Sequence, residues 1–209
     1  MTSFLILHGF GGSTDGHWQE WLSKKLDENG FKVYFPQFPD WNRPQKSVWL
    51  SALNGTMEAI SNDEKLIVIA HSLGCVLWLH YAAQKTRRKV SRAVLVSPPA
   101  SSPGPEMLNV FFPEASERKM EAEEAVQSFY PFPDNKKTLS SAADQTVIIT
   151  STTDPFLPGD SVFDYRAYGV PILLLPNKGH INVSSGFGPW PWILNACLQG
   201  ALPFPEHIH

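Results

Sequence analysis

Ser72 stands at the centre of Ala70-His71-Ser72-Leu73-Gly74, between two apolar runs. The run Lys65-Leu66-Ile67-Val68-Ile69 reads as a strand, and Cys75-Val76-Leu77-Trp78-Leu79 reads as the opening of a helix. A serine at such a junction is forced into a strained turn that lifts its Oγ over the carboxyl edge of a sheet, the nucleophile elbow. The turn is tight, so the residues two before and two after the serine must be small. Gly74 meets that demand. Ala70 departs by one methyl group from the glycine usual there. The rival reading of these residues is a serine N-cap on an ordinary helix, and the strand directly upstream argues against it.

A serine hydroxyl attacks at neutral pH only with a base in hydrogen-bond reach and a third group fixing that base's tautomer. Where an elbow supplies the nucleophile, the acid and then the histidine follow it, each beyond a later strand. Seven histidines compete for the role of base. His8 ends the first strand, His17 opens a helix, His71 is inside the elbow, His80 is within a helix, and His207 and His209 lie in the tail. Only His180, in Asn177-Lys178-Gly179-His180, falls just past the last strand; its glycine and loop are expected to let the ring swing onto the serine. For the acid, the strand Thr146 to Thr150 runs into Ser151-Thr152-Thr153-Asp154-Pro155, so Asp154 is the first carboxylate beyond a strand end. Asp160 and Asp164 lie further on, and Asp160 reads as the N-cap of a helix from Ser161 to Tyr168. Asp144 precedes the strand and belongs to the wrong edge.

Acyl transfer also needs two backbone N–H groups aimed at the developing oxyanion. Leu73, directly after the nucleophile, is one candidate. Phe10 is the other, in the loop Leu7-His8-Gly9-Phe10-Gly11-Gly12-Ser13 that closes the first strand. That loop is not a phosphate cradle. Counted from Gly9, the last glycine of a G-x-G-x-x-G pattern would be Thr14, and no Gly-Lys-Ser/Thr follows. Neither H-E-x-x-H nor paired C-x-x-C occurs, so no metal site and no cofactor are expected.

These side chains need a frame. Six short apolar runs, Phe4–Leu7, Lys32–Phe35, Leu66–Ala70, Ala93–Val96, Thr146–Thr150 and Pro171–Leu175, do not alternate with polar residues, as is usual for strands buried on both faces. Trp18, Trp21, Leu22 and Leu26 repeat at helical spacing and stop at Gly30; Trp49, Leu53, Met57 and Ile60 repeat likewise, and Val76 to Ala83 fills the third connection. Strand and helix in alternation predict a mostly parallel α/β sheet with helices on both faces, in one domain spanning 1–209. The stretch 98–144 is long for a connection and reads as a lid or cap, with a charged run from Glu114 to Glu124. Trp41, Phe111, Phe112, Phe129 and Trp190 could line an acyl pocket or simply fill the core.

With 43% hydrophobic and 18% charged residues in 209, the composition is that of a packed globule. A net charge of −3 suggests neither nucleic acid nor an anionic membrane as a partner, since both call for a basic face. Arg87-Arg88, with Lys85 and Lys89, is the one basic cluster, and a helix C-terminus accounts for it. Two cysteines, Cys75 and Cys197, cannot form a disulfide framework, and no secretory signal or spanning run is evident, so a cytoplasmic protein is expected.

The loop Leu7 to Ser13, with His17-Trp18 and Trp21-Leu22, resembles the YdeN-like branch of the α/β-hydrolases, the retinoblastoma-binding serine hydrolase family. The likeness continues through His71-Ser72-Leu73-Gly74, Asp154-Pro155-Phe156, Gly179-His180-Ile181-Asn182 and Ser185-Gly186-Phe187-Gly188-Pro189-Trp190-Pro191. It implies a small hydrolase without the first strands of larger relatives, with Ser72, Asp154 and His180 as its triad. Leu194-Asn195-Ala196-Cys197-Leu198 lacks the Leu-x-Cys-x-Glu spacing, so a retinoblastoma-type partner is not implied. The expected reaction is acyl transfer on a small-molecule ester or amide. Carboxylic esters come first, as the easier leaving-group problem. An amidase or peptidase, or a binding protein that keeps the fold without the chemistry, are the alternatives.

Overall fold

Each apolar run becomes a strand paired in parallel with its neighbours. The computed structural model describes residues 1–14, 16–102, 109, 117–133 and 137–199. In chain order these form β1 (Thr2–Leu7), α1 (Trp18–Glu28), β2 (Lys32–Tyr34), α2 (Lys46–Ala59), β3 (Lys65–His71), α3 (Leu73–Ala82), β4 (Val90–Val96), α4 (Glu117–Gln127), α5 (Thr138–Ala142), β5 (Ala143–Ser151), β6 (Ile172–Leu175) and α6 (Pro191–Leu198). The strands lie in the order β2-β1-β3-β4-β5-β6, and every pairing is parallel.

Two apolar layers flank the sheet. Leu5, Leu7, Val68, Ala70 and Leu95 pack against α2, α3 and α5. Phe4, Ile67, Ile69, Val94 and Val96 pack against α1 and α6 on the other face. Successive residues of one strand thus serve opposite layers, which is why the runs carry no polar alternation. The helix α3 is buried along its length except at His80, because it lies under the centre of the sheet.

Local chemistry sets the helix ends. After α1 the Gly30 N–H donates to Asp27 O and the Phe31 N–H to Leu26 O, with Gly30 at φ +80°. This is the Schellman pattern that a glycine at C′ makes cheap. The basic cluster serves two helix ends. Arg87 donates to Gln84 O beyond α3, and Arg88 donates to Ile60 O just past α2.

Two expectations need correction. Asp160 is not a cap: the segment Gly159–Tyr168 is a 3-10 helix whose last extended residue is Pro158, and Asp160 lies inside its first turn. Asp144 does not precede its strand but is within β5, at the amino end, paired with Lys89 at 2.6 Å. Within 98–144, α4 buries Ala122, Ala125 and Val126, while Phe129 is wholly buried against Trp49. Phe129 and Trp190 are therefore core, whereas Phe111, Phe112, His207 and His209 lie outside the described residues. No helix among the described residues is long and apolar enough to cross a membrane.

Among the described glycines the closest approach of backbone to backbone is at Gly74, where an added Cβ would lie 2.6 Å from the carbonyl oxygens of both Leu7 and His8. Backbone on both sides cannot yield. Gly74→Ala should lower the urea-unfolding free energy by about 2–3 kcal/mol, whereas Gly55→Ala, which meets nothing within 4 Å, should be neutral or stabilising.

Candidate active site

The chain leaves β1 toward β2 on one side and later returns through β3 on the other, so a crevice opens at the carboxyl ends of β1 and β3. Such switch points are where open parallel sheets bind ligands. Ser72 sits there at φ +53°, ψ −125°, outside the regions an ordinary serine occupies. Its N–H donates to Val96 O at 3.0 Å, and Cys75 N–H donates back to Ser72 O at 2.9 Å, which clamps the turn from both sides. An added Cβ on Gly9 would lie 2.7 Å from Ser72 Cβ and 3.2 Å from its Oγ. The β1 loop therefore passes directly against Ser72. In that loop the Gly11 and Gly12 N–H groups donate to Trp41 O and Gly9 O.

The structure brings Ser72, His180 and Asp154 into contact. His180 Nε2 is 2.9 Å from Ser72 Oγ, and His180 Nδ1 is 2.9 and 3.0 Å from the two Asp154 carboxylate oxygens. An ionised carboxylate only accepts, so the ring proton resides on Nδ1 and Nε2 is left to accept from the serine hydroxyl. Asp154 is itself fixed by the Phe156 N–H, which donates to its Oδ1 at 2.9 Å. His180 and Asp154 are both 3% exposed, and the Phe156 ring lies 4.3 Å from the imidazole. Leu73 follows Ser72 as the first residue of α3, and Phe10 follows Gly9.

The loop bearing His180 is held in place and does not need to swing. The side chains of Ser151, Thr152 and Thr153 accept from the N–H groups of Lys178, Asn177 and Gly179, at 2.7, 3.0 and 3.1 Å. His180 N–H donates to Ser185 Oγ at 3.1 Å. Sequence reasoning passed over these hydroxyls; the run Ser151-Thr152-Thr153 directly ahead of the acid was the available signal.

Other histidines crowd the site in neutral form. His8 is wholly buried, accepts from the Phe38 N–H at Nε2 and faces Gly9 O with Nδ1, so it ties the β1 loop to the chain after β2. Burial lowers its pKa. His17 caps α1, its Nδ1 accepting from the Gln19 N–H at 3.2 Å, and its ring lies 5.0 Å from that of His71. Burial, with the His180 and His8 imidazoles nearby, pushes His17 down to about 4. Cys75 lies behind Ser72, and burial raises its thiol well above the usual range. No group of three or more His, Cys, Asp or Glu able to hold a metal occurs among the described residues.

A parallel α/β sheet with a strained serine between a central strand and helix, facing a histidine and an aspartate, defines an α/β-hydrolase. The model of the family described as serine hydrolase matches residues 4–199, and the chain belongs to that family. It is 32% identical to YdeN of Bacillus subtilis (strain 168) over 108 residues, 51% of this chain and 56% of YdeN, so the match spans little more than half of that relative. It is 27% identical to the serine hydrolase RBBP9 of Rattus norvegicus over 161 residues, 75% of this chain and 74% of the relative. The crystal structure of the ydeN gene product superposes with a TM-score of 0.76 at 21% identity, covering 95% of this chain and 98% of the other. The methylesterase MES16 from Arabidopsis gives 0.60 at 18% identity, covering 96% and 98%.

The depressed His17 couples this region to acid. Its imidazole takes a proton near 6.5 in the unfolded chain but only near 4 when folded, so its contribution is intact above 6.5 and is lost as pH falls toward 4. Asparagine is a good N-cap that does not titrate in this range. Between pH 7 and pH 4, His17→Asn should lose about 2–3 kcal/mol less urea-unfolding free energy than the wild type.

Proposed function

We propose that this chain hydrolyses small carboxylic esters, with Ser72 as nucleophile, His180 as general base and Asp154 as the group that orients it. The observation that carries the reading is the 2.9 Å separation of His180 Nε2 from Ser72 Oγ, with Asp154 on the opposite ring nitrogen. As Ser72 Oγ attacks the carbonyl carbon, its proton passes to His180 Nε2 and Asp154 steadies the imidazolium. The carbonyl oxygen becomes an oxyanion, received by the N–H groups of Phe10 and Leu73; the latter sits at the positive end of α3. Collapse of the tetrahedral intermediate breaks the bond to the alkoxy oxygen, which leaves as an alcohol with the proton from His180. Water, deprotonated by His180, then releases the acid and restores Ser72.

Cys75 is no rival nucleophile, since a buried thiol with a raised pKa supplies little thiolate. The fold likeness to a methylesterase favours an ester over an amide. An unrelated role as a silent binding protein leaves the strained Ser72 and its contact with His180 without a purpose.

A fluorophosphonate probe should label the wild type and fail to label Ser72→Ala, with other serine variants unaffected; an unlabelled wild type would refute the catalytic reading. Ser72→Ala should lower kcat by about 10⁴-fold or more, and Asp154→Asn by about 10⁴-fold. Across p-nitrophenyl esters from acetate to decanoate, kcat/KM should peak at one chain length, and a flat series would remove any shaped acyl pocket.

A further inference from the structure

Two buried rings beside His180 have no task in the mechanism above. His71 Nε2 is 3.0 Å from the carbonyl oxygen of His180, and Trp18 Nε1–H donates to the carbonyl of Ile181 at 2.8 Å. Consecutive carbonyls of one loop are therefore gripped by ring N–H groups from different elements. His71 ends β3, next to the nucleophile, and Trp18 begins α1.

The stretch they hold is unfavourable on its own. Asn177, Gly179 and Ile181 all have positive φ, at +55°, +52° and +49°. In that region a β-branched residue such as isoleucine is a steric outlier. Ile181 is also wholly buried, so its side chain and its carbonyl both depend on internal partners.

The donors are themselves fixed. A carbonyl only accepts, so His71 carries its proton on Nε2. Burial, with His180 and His17 nearby, holds the His71 pKa well below the usual imidazole range, and the ring stays neutral. Trp18 packs edge-on against His71 at 5.8 Å and against Trp190 at 5.3 Å, which blocks rotation of the indole.

We propose that His71 and Trp18 are positioning residues that hold the left-handed turn carrying His180, and so set the distance from its imidazole to Ser72. The inference rests on the reading of Ser72 and His180 as a catalytic pair. A displacement of about 1 Å at a reacting centre can cost about 10²-fold in rate, so losing either grip acts on catalysis before it acts on the fold.

Three variants test this. Trp18→Phe keeps the aromatic packing and removes the N–H. His71→Leu keeps the bulk and removes the donor. His71→Gln restores an N–H at about the reach of Nε2. Hydrolysis of p-nitrophenyl acetate should show kcat lowered about 10–100-fold in Trp18→Phe and His71→Leu with KM nearly unchanged, and His71→Gln should recover most of the loss. In ¹⁵N-histidine-labelled protein, the His180 Nδ1–H proton resonance should move in the two damaged variants and return in His71→Gln. Unchanged kcat in both damaged variants, or a loss that follows the folded fraction and is not rescued by glutamine, would overturn the proposal. Should the wild type hydrolyse no ester and take no fluorophosphonate, the catalytic reading fails instead. The His180 resonance then decides whether the two rings position it, and an unmoved signal rules that out.

Discussion

The packing of the β1 exit loop against the serine turn is the constraint on which the site depends. Gly9 touches Ser72, and Gly74 touches the carbonyls of Leu7 and His8, so two backbones meet with no side chain between them. The hydrogen-bond ladder from Thr2–Lys65 to Leu7–Ala70 sets how far apart these segments can be. A side chain at either glycine would have to separate strands that the ladder holds together. The strain at Ser72 is sustained because β4 accepts its N–H and the first turn of α3 draws on its carbonyl.

His180 is held by a different logic. Gly179 packs closely against Ser185, but polar contacts dominate. The loop meets polar partners on every side: three hydroxyls on its amides, Ser185 on the His180 N–H, and ring N–H groups on two carbonyls. His180 and Ile181 are buried, so their backbone groups are satisfied from within the protein, while Asn177 at the start of the loop is exposed. The result is that His180 is placed by backbone bonding, while Ser72 is placed by sterics.

The frame was largely legible because buried parallel strands write themselves as continuous apolar runs, and all six runs became strands within a few residues of their expected bounds. Chain order after the elbow was enough to single out Asp154 and His180, which the structure brings together with Ser72. Other parts were harder to read. The roles of His71 and Trp18 lie in bonds to backbone carbonyls of a distant loop, and such partners leave no mark on residue type, whereas the hydroxyl run Ser151-Thr152-Thr153 was visible without showing which amides it would meet. Asp160 misled because an acidic residue before a helical run is a cap only if the backbone at that point is extended, and here Pro158 is the extended residue. The aromatics stayed ambiguous until packing was seen, since Phe129 and Trp190 look the same in a core as in a pocket.

The hydroxyl ladder between the fifth and sixth strand exits has a bearing on how this chain can vary. Ser151 lies three residues before Asp154, and Asn177 lies three before His180; the intervening tripeptides are stitched together amide to hydroxyl. Lengthening one by a single residue would shift every rung and rotate Asp154 or His180 out of line. Phe156 must keep its place, since its N–H holds Asp154 and its ring packs on His180; a change of length is better borne further on, in the segment Gly159–Tyr168.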